Sequence, residues 1–428
     1  MWRGMVWCSQ LTRVGATPAR PFRVRRGMKV LNVRQHATAD HVVVSARCKV
    51  RRIGLDDLTI TVPRRFADFV FADASPFAAA LLMPSMKLGE DLLIRGSISA
   101  RLHSGMTEIV RIVSGWDIGL KPIDVKADEL VPDRTMPGVT GAFFSGGVDS
   151  FYTYLRHKND ERPITHLLLA NGYDIDRRNS RLWDATLRNM AQIAKEEQVT
   201  LIHVESNVRS LIDPVLSWTF GHGGSLAAAA MCLRSGLAQM YIASSADAEH
   251  QALRGSHLTI DHLWSTEALS FAHDGSEASR INKIEWQIAR SRLALKYLRV
   301  CYANEQGTYN CGRCEKCLRT MVGLYAAGVL DRAETFPPDI DRGLLAALSI
   351  EGYDDAVFHR ENLAALRARE LGADLQQALE SALARLADRD TRPKPVAHRI
   401  RGSVDFLDHS YARGALRRLK THVTGRSI

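Results

Sequence analysis

Short apolar runs separated by longer stretches of helical period dominate the middle of the chain. Gly141–Phe144, His166–Ala170, Thr200–Val204 and Met240–Ala243 read as buried strands. Ser150–His157, Asn179–Glu197 and Gly224–Leu237 lie between or beside them and carry a helical pattern. Strand–helix alternation over residues 139–335 predicts an α/β domain with a parallel sheet, whose ligands sit beyond the carboxyl ends of the strands.

On either side the pattern changes. Residues 40–131 read as a β-rich domain, with β-branched runs at Val42–Ala46, Leu58–Pro63, Asp91–Ile98 and Thr107–Val113, and one apolar helix at Ser75–Met86. Substrate presentation, dimerisation to a homodimer and plain packing are the roles open to it. Ile123–Gly138, with Pro122, Pro132 and Pro137 in and beside it, reads as a linker. Residues 336–428 read as a helical extension, with apolar stripes at Leu344–Leu348 and Leu375–Leu386. Its end is a basic tail (Arg399, Arg401, Arg413, Arg417, Arg418, Lys420), expected to be solvated, with RNA contact as the alternative. Residues 1–39 contain no acid and several arginines, a composition like that of a mitochondrial presequence. The simpler expectation is a disordered or mis-assigned extension, with Met28 as the true start.

A net charge of +10 favours anionic partners such as ATP, pyrophosphate or RNA without choosing among them. No apolar run approaches the ~20 residues of a membrane span, and seven cysteines, an odd count, argue against a purely disulfide framework. A reducing, cytoplasmic setting is expected.

The densest chemistry follows the first strand of the α/β region. In Gly141-Ala-Phe-Phe-Ser-Gly-Gly-Val-Asp-Ser150 the apolar run ends in a tight turn that opens a helix. Glycines Gly146 and Gly147 let backbone approach a ligand, and N–H groups at a helix start, with Val148 among them, form an anion nest. Ser145 and Ser150 flank it with hydroxyls. Asp149 supplies a carboxylate to orient the loop or hold Mg²⁺. No Walker A sequence occurs. Downstream, Asp174 and Asp176 follow the second strand, as helix caps or site residues. Gly221-His222-Gly223-Gly224-Ser225 is expected to precede a helix and offer anion or ribose contacts. Gly255-Ser256-His257 through Asp261-His262 reads as an acceptor-substrate wall or an ordinary polar loop. Arg280 and Lys283, one helical turn apart, face the same way and suit a departing pyrophosphate, or are merely solvated.

Cys301, Cys311, Cys314 and Cys317 form two C-x-x-C steps with a fourth cysteine upstream. That set suits tetrahedral Zn²⁺, and four protein ligands leave no open position, so the expected role is structural. An iron–sulfur cluster is the competing occupant. Cys8, Cys48 and Cys232 read as ordinary.

The turn Ser145–Ser150 resembles the pyrophosphate loop of the ATP pyrophosphatase (PP-loop) superfamily. Together with Asn282-Lys283-Ile284-Glu285, the cysteine set, Leu318-Arg319 and Ala326–Asp331, it occurs in an order similar to that of the 7-cyano-7-deazaguanine synthases. The resemblance covers about Gly141 to Asp331. It implies a HUP-type core, ATP with Mg²⁺, and nucleotide contacts at Ala170, Asn171 and Gly172. It also implies an AMP-forming reaction in which a small carboxylate is adenylated and then attacked by ammonia or an amine, with Ser145, Asp149, Arg280 and Lys283 as the catalytic set. The family's Tyr-Pro-Asp-Cys substrate segment is absent, so the activation chemistry transfers better than the deazaguanine substrate. Two other readings remain open: a tRNA-modifying sulfurtransferase, for which Cys232 is the only spare cysteine of the domain, and a regulatory nucleotide-binding protein without turnover.

Overall fold

The computed structural model describes residues 27–134, 137–304, 308–350 and 353–391. The basic tail and residues 1–26 lie outside them. Strands β1 (Met28–Ala37), β2 (His41–Val50) and β3 (Gly54–Pro63) form an antiparallel meander. Helix α1 (Ser75–Leu88), strand β4 (Leu92–Ser99), helix α2 (Ala100–Ser114) and strand β5 (Val125–Val131) follow. The α/β region then runs β6 (Val139–Phe143), α3 (Val148–His157), β7 (His166–Asn171), α4 (Ser180–Glu196) and β8 (Thr200–Ser206). It continues with α5 (Val208–Ile212), α6 (Trp218–Met231), β9 (Leu237–Ala243) and β10 (Ser270–Asp274). Helix α7 (Arg280–Lys283) passes straight into a π-helical turn over Ile284–Ile288. Helices α8 (Arg292–Tyr297), α9 (Glu315–Ala326), α10 (Arg342–Ala347), α11 (Tyr353–Ala368) and α12 (Ala373–Thr391) complete the described residues.

Among the described residues, the ten strands make one sheet, in the order β10-β9-β6-β7-β8-β3-β2-β1-β4-β5. The α/β half, β10 to β8, is wholly parallel, and its order reverses between β6 and β9. The other half joins it antiparallel through β3 and β8, at Ile60 opposite Ser206 and Thr61 opposite Glu205. Asn207 prolongs that seam: its side chain accepts from the Thr59 N–H at 2.9 Å and donates to the Asp57 carbonyl at 2.8 Å. Farther along, buried Arg234 holds Asp73 at 2.7 Å and Asp133 at 2.8 Å. One hydrophobic cluster therefore runs from Val30 and Leu92 through α1 and α6 to Ile242 and Phe271. A second, on the α3, α4 and α9 side, includes Phe144, Met190, Leu318 and Leu379. Among the described residues no helix is long and apolar enough to cross a membrane.

The structure departs from the sequence expectation in several elements. Thr107–Val113 is helical, because Leu102, Met106, Ile109, Val110 and Val113 bury one face of α2 and Ser99 caps it by accepting from the Leu102 N–H at 3.0 Å. The expected linker contains strand β5, and Met28–Ala37, read as part of the basic extension, is strand β1. Gly221–Ser225 does not precede a helix; it lies inside α6. Its glycines serve packing: a Cβ on Gly223 would come 1.7 Å from the Gly255 carbonyl oxygen, and one on Gly224 2.4 Å from that of Ala79 in α1. Ser225 is buried and donates back to the Gly221 carbonyl at 2.9 Å. Gly223→Ala is expected to cost about 3 kcal/mol or more, the upper end for overpacking, because backbone rather than a mobile side chain stands in the way. A denaturation midpoint equal to that of the unaltered protein would refute this seating of α6.

Candidate functional site: an anion nest facing a cysteine loop

Phe143 ends β6 and Phe144 follows it, both buried, and the chain then turns through Ser145, Gly146 and Gly147 into α3. Gly146 sits in the left-handed region (φ +76°), which favours glycine, and the end of the Met190 side chain lies against it. Its carbonyl accepts the Arg299 N–H at 2.7 Å. Gly147 is the residue just before α3, and no side chain caps the helix. The first N–H groups, those of Val148, Asp149 and Ser150, have no carbonyl within their own helix to bond. The Ser150 hydroxyl donates to the Gly147 carbonyl at 3.1 Å, and Ser145 is exposed at the rim.

The turn stands where the parallel order reverses, and Ser244 and Ala246 after β9 line the other side of the gap. Between them opens a cleft of about 730 Å³, within the usual range for small-molecule sites. Ser145, Gly147, Val148, Asp149, Ser150 and Arg280 all line it. Asn171 and Gly172 do not: Asn171 is buried and donates to Glu205 at 3.1 Å, and Gly172 packs against the Ser206 carbonyl. Ala170 is the part of that predicted nucleotide edge that faces the cleft.

Asp149 receives Arg280 Nη1 on both oxygens, at 3.0 and 2.8 Å. Burial opposes its ionisation, but Arg280 first, then Lys283 and Lys316, outweigh this and hold the carboxyl below the usual range. Lys283 is fully buried and stands behind the cleft wall. It donates to the Ser244 carbonyl at 2.6 Å and lies 3.8 Å from Asp149, tying the end of β9 to the turn. Burial pushes its ammonium below the usual lysine range.

The acceptor-wall segment is only partly at the cleft. Asp261 is buried and accepts from Ser256 Oγ at 2.7 Å, and it lies 2.7 Å from His273 Nδ1. His273 Nε2 meets Gln251 at 2.8 Å. Ser256 and His273 line the cleft. His222, at the cleft from inside α6, has Nδ1 2.9 Å from the Thr219 carbonyl, which fixes the proton there and leaves Nε2 an acceptor; burial pulls its pKa down. Asp174 faces the cleft and accepts the Trp218 indole N–H at 3.1 Å, whereas Asp176 pairs with Arg178.

The four cysteines come together. Cys301 and Cys314 sulfurs are 4.0 Å apart, those of Cys311 and Cys317 3.9 Å, and all four lie within 4.8 Å of one another. A tetrahedron with Zn–S bonds of ~2.3 Å has edges of about 3.8 Å, so the set fits a metal ion such as zinc with little movement. Gly312 (φ +67°) makes the turn, and the Cys314 N–H donates to Cys311 Sγ at 3.2 Å. Hydrogen bonds from Cys314 and Cys317 push the Cys301 thiol down, and the bond to Cys301 pushes Cys314 up to about 11. Loading a dication would therefore release protons.

This loop is stitched to the nest. Asn310 accepts from the Val300 and Cys301 N–H groups at 2.9 and 3.2 Å, and Asn304 bonds both Arg299 and the Asp174 carbonyl. Lys316 and Arg319, from α9, line the cleft, as do Asp355 and Phe358 from α11. The guanidinium of Arg319 stands 4.4 Å, and that of Arg280 5.6 Å, from the centre of the Phe358 ring. Sequence reasoning missed Lys316, Arg319, Asp355 and Phe358 as site residues. The i, i+3 spacing of the first two was a usable signal; nothing in the apolar stripes of the C-terminal region marked the others.

No protein-family model, curated protein or solved structure matches this chain.

Proposed function

We propose that the chain is an ATP-dependent, AMP-forming ligase with a HUP-type core of the PP-loop kind. The observation that carries this reading is an uncapped helix start at the strand-order reversal, faced by buried guanidinium nitrogens that have no partner: Nε and Nη2 of Arg280 and Nε of Arg299 and Arg319. Buried donors left unpaired call for an acceptor, and a triphosphate supplies many. The strand order of the parallel half, with its crevice at the reversal, supports the HUP-type assignment.

In this reading the phosphates lie on the Val148–Ser150 amides and the base end lies toward Ala170. A carboxylate oxygen of the acceptor attacks the α-phosphorus, and the bond to pyrophosphate breaks. Ammonia or an amine then attacks the acyl carbon and AMP leaves. The chain's contribution is positioning and charge stabilisation. Asp149 is engaged by Arg280 on both oxygens, which does not suit a metal ligand. Mg²⁺ would arrive on the nucleotide, with Asp149 left to hold Arg280. Lys283 acts as a positioning residue. The sulfurtransferase alternative lacks support, since Cys232 is fully buried and burial raises its thiol far above the usual range.

The test is incubation with ATP and fractionated small-molecule acids. Pyrophosphate release and an acyl-adenylate caught by mass spectrometry are expected. Formation of ADP would overturn the reading, and tight ATP binding with no turnover on any acid would favour a regulatory protein.

A further inference from the structure

The wall opposite the nest is made by the cysteine loop, and its charges are poorly matched in this structure. Lys316 stands between two of the clustered cysteines, Cys314 and Cys317, and lines the cleft. Among the described residues its ammonium makes no hydrogen bond or ion pair. It interacts across space with Arg280 and Arg319 on one hand and Asp174 and Asp149 on the other. Arg280 is 3% exposed and Arg319 7%. Arg280 commits only Nη1, to Asp149. Arg319 commits only Nη1, to Asp355 at 3.0 Å and Glu315 at 3.4 Å. Their remaining buried nitrogens, Nε and Nη2 of the first and Nε of the second, have no hydrogen-bond partner. Like charges crowded in a poorly solvated cleft repel strongly, and unpaired buried donors add their desolvation cost. A compact polyvalent anion would relieve both.

We propose that Lys316, with the unpartnered nitrogens of Arg280 and Arg319, forms the subsite for the pyrophosphate portion of the nucleotide, and that metal held by the four cysteines keeps this subsite in place. The proposal rests on the adenylating reading of the cleft. When the α-phosphorus–oxygen bond breaks, its electron pair stays on the departing pyrophosphate, and these cations meet the added charge. The nest amides hold the same group from the other side. Metal loading is thereby coupled to nucleotide affinity: Lys316 rides on the segment that Cys314 and Cys317 would anchor, and the Arg299–Gly146 bond ties that loop to the nest.

The experiment is calorimetric titration of the full chain with inorganic pyrophosphate and, separately, with AMP, with metal content measured in every sample. Lys316→Ala is expected to weaken pyrophosphate about 10- to 100-fold, as for loss of a charged hydrogen bond, with AMP affinity and metal content unchanged. Lys316→Arg should restore part of the loss. Chelation of the unaltered protein should weaken pyrophosphate, and added zinc should reverse this. If Lys316→Ala loses metal, Lys316→Met, of similar length, takes its place. Pyrophosphate affinity unchanged in the fully metallated variant overturns the subsite while leaving the adenylating reading intact. Failure of the unaltered protein to bind ATP, AMP or pyrophosphate overturns that reading itself.

Discussion

Asp149→Ala is expected to abolish pyrophosphate release from ATP, by at least about 100-fold, and to destabilise the fold by about 3–5 kcal/mol. Both effects have one origin. Arg280 and Lys283 are almost fully buried beside this carboxylate, and removing it leaves two uncompensated charges in the core of the site. Arg280 would then lose the partner that aims its free nitrogens, and a misplacement of about 1 Å at a positioning group costs some 100-fold in rate. Asp149→Asn keeps the shape and one acceptor oxygen and should fall between. The pH dependence has a definite sign. Because the folded-state pKa is depressed, the stabilisation is fully present above the ordinary carboxylate pKa of about 3.9 and is lost as pH falls through the lower folded value. The gap in Tm between the native protein and Asp149→Asn should therefore hold at neutral pH and close in acid. A gap independent of pH, or an Asp149→Ala variant that releases pyrophosphate at the original rate, would show that the pair with Arg280 is not what organises the turn.

The parts of the site that were legible in the sequence are those where local chemistry and tertiary structure agree. Ser145–Ser150 carries its own instructions: an apolar strand end, a glycine forced to positive φ, and a helix start whose amides nothing local satisfies. The cysteine spacing was legible for the same reason, since ligand geometry is nearly independent of the surrounding fold. Thr107–Val113 misled because its β-branched run looks like a strand, yet Leu102, Met106, Ile109, Val110 and Val113 recur at helical spacing and pack one face. Gly221–Ser225 misled because glycines next to a hydroxyl suggest a ligand turn. Here they admit two neighbouring backbones, and only the tertiary contacts reveal it. The role of Phe358 and Asp355 could not be read at all. Their place at the cleft depends on α11 folding back over α9, where His359 meets Glu315 at 3.1 Å and Asn362 donates to the Arg319 carbonyl at 2.8 Å.

Removal of metal from the four cysteines is expected to be the largest perturbation short of unfolding. The segment from Cys301 to Cys317 has few apolar anchors of its own; Asn310 and the Arg299–Gly146 bond hold one end, and the sulfurs hold the other. Without the ion, four cysteine sulfurs stay crowded within 4.8 Å, and the mutual hydrogen bonds that push the Cys301 thiol down push those of Cys314 and Cys317 up. The binding free energy of a structural metal is folding free energy for the element it closes. Chelation, or Cys314→Ser, should therefore lower Tm by well over 5 °C and expose the chain between Asn304 and Cys317 to protease, while amide exchange in β1–β5 changes little. The contrast between the two regions is the informative part, because β1–β5 draw their stability from the cluster on the other side of the sheet. The gap between loaded and metal-free protein should close toward acid, where protons compete with metal for the thiolates and the loaded protein itself gives up the ion. A protein that binds no metal, or that keeps its Tm and protease resistance after chelation, would show that the cysteines close together without an ion, and the wall of the cleft would then owe its shape to packing alone.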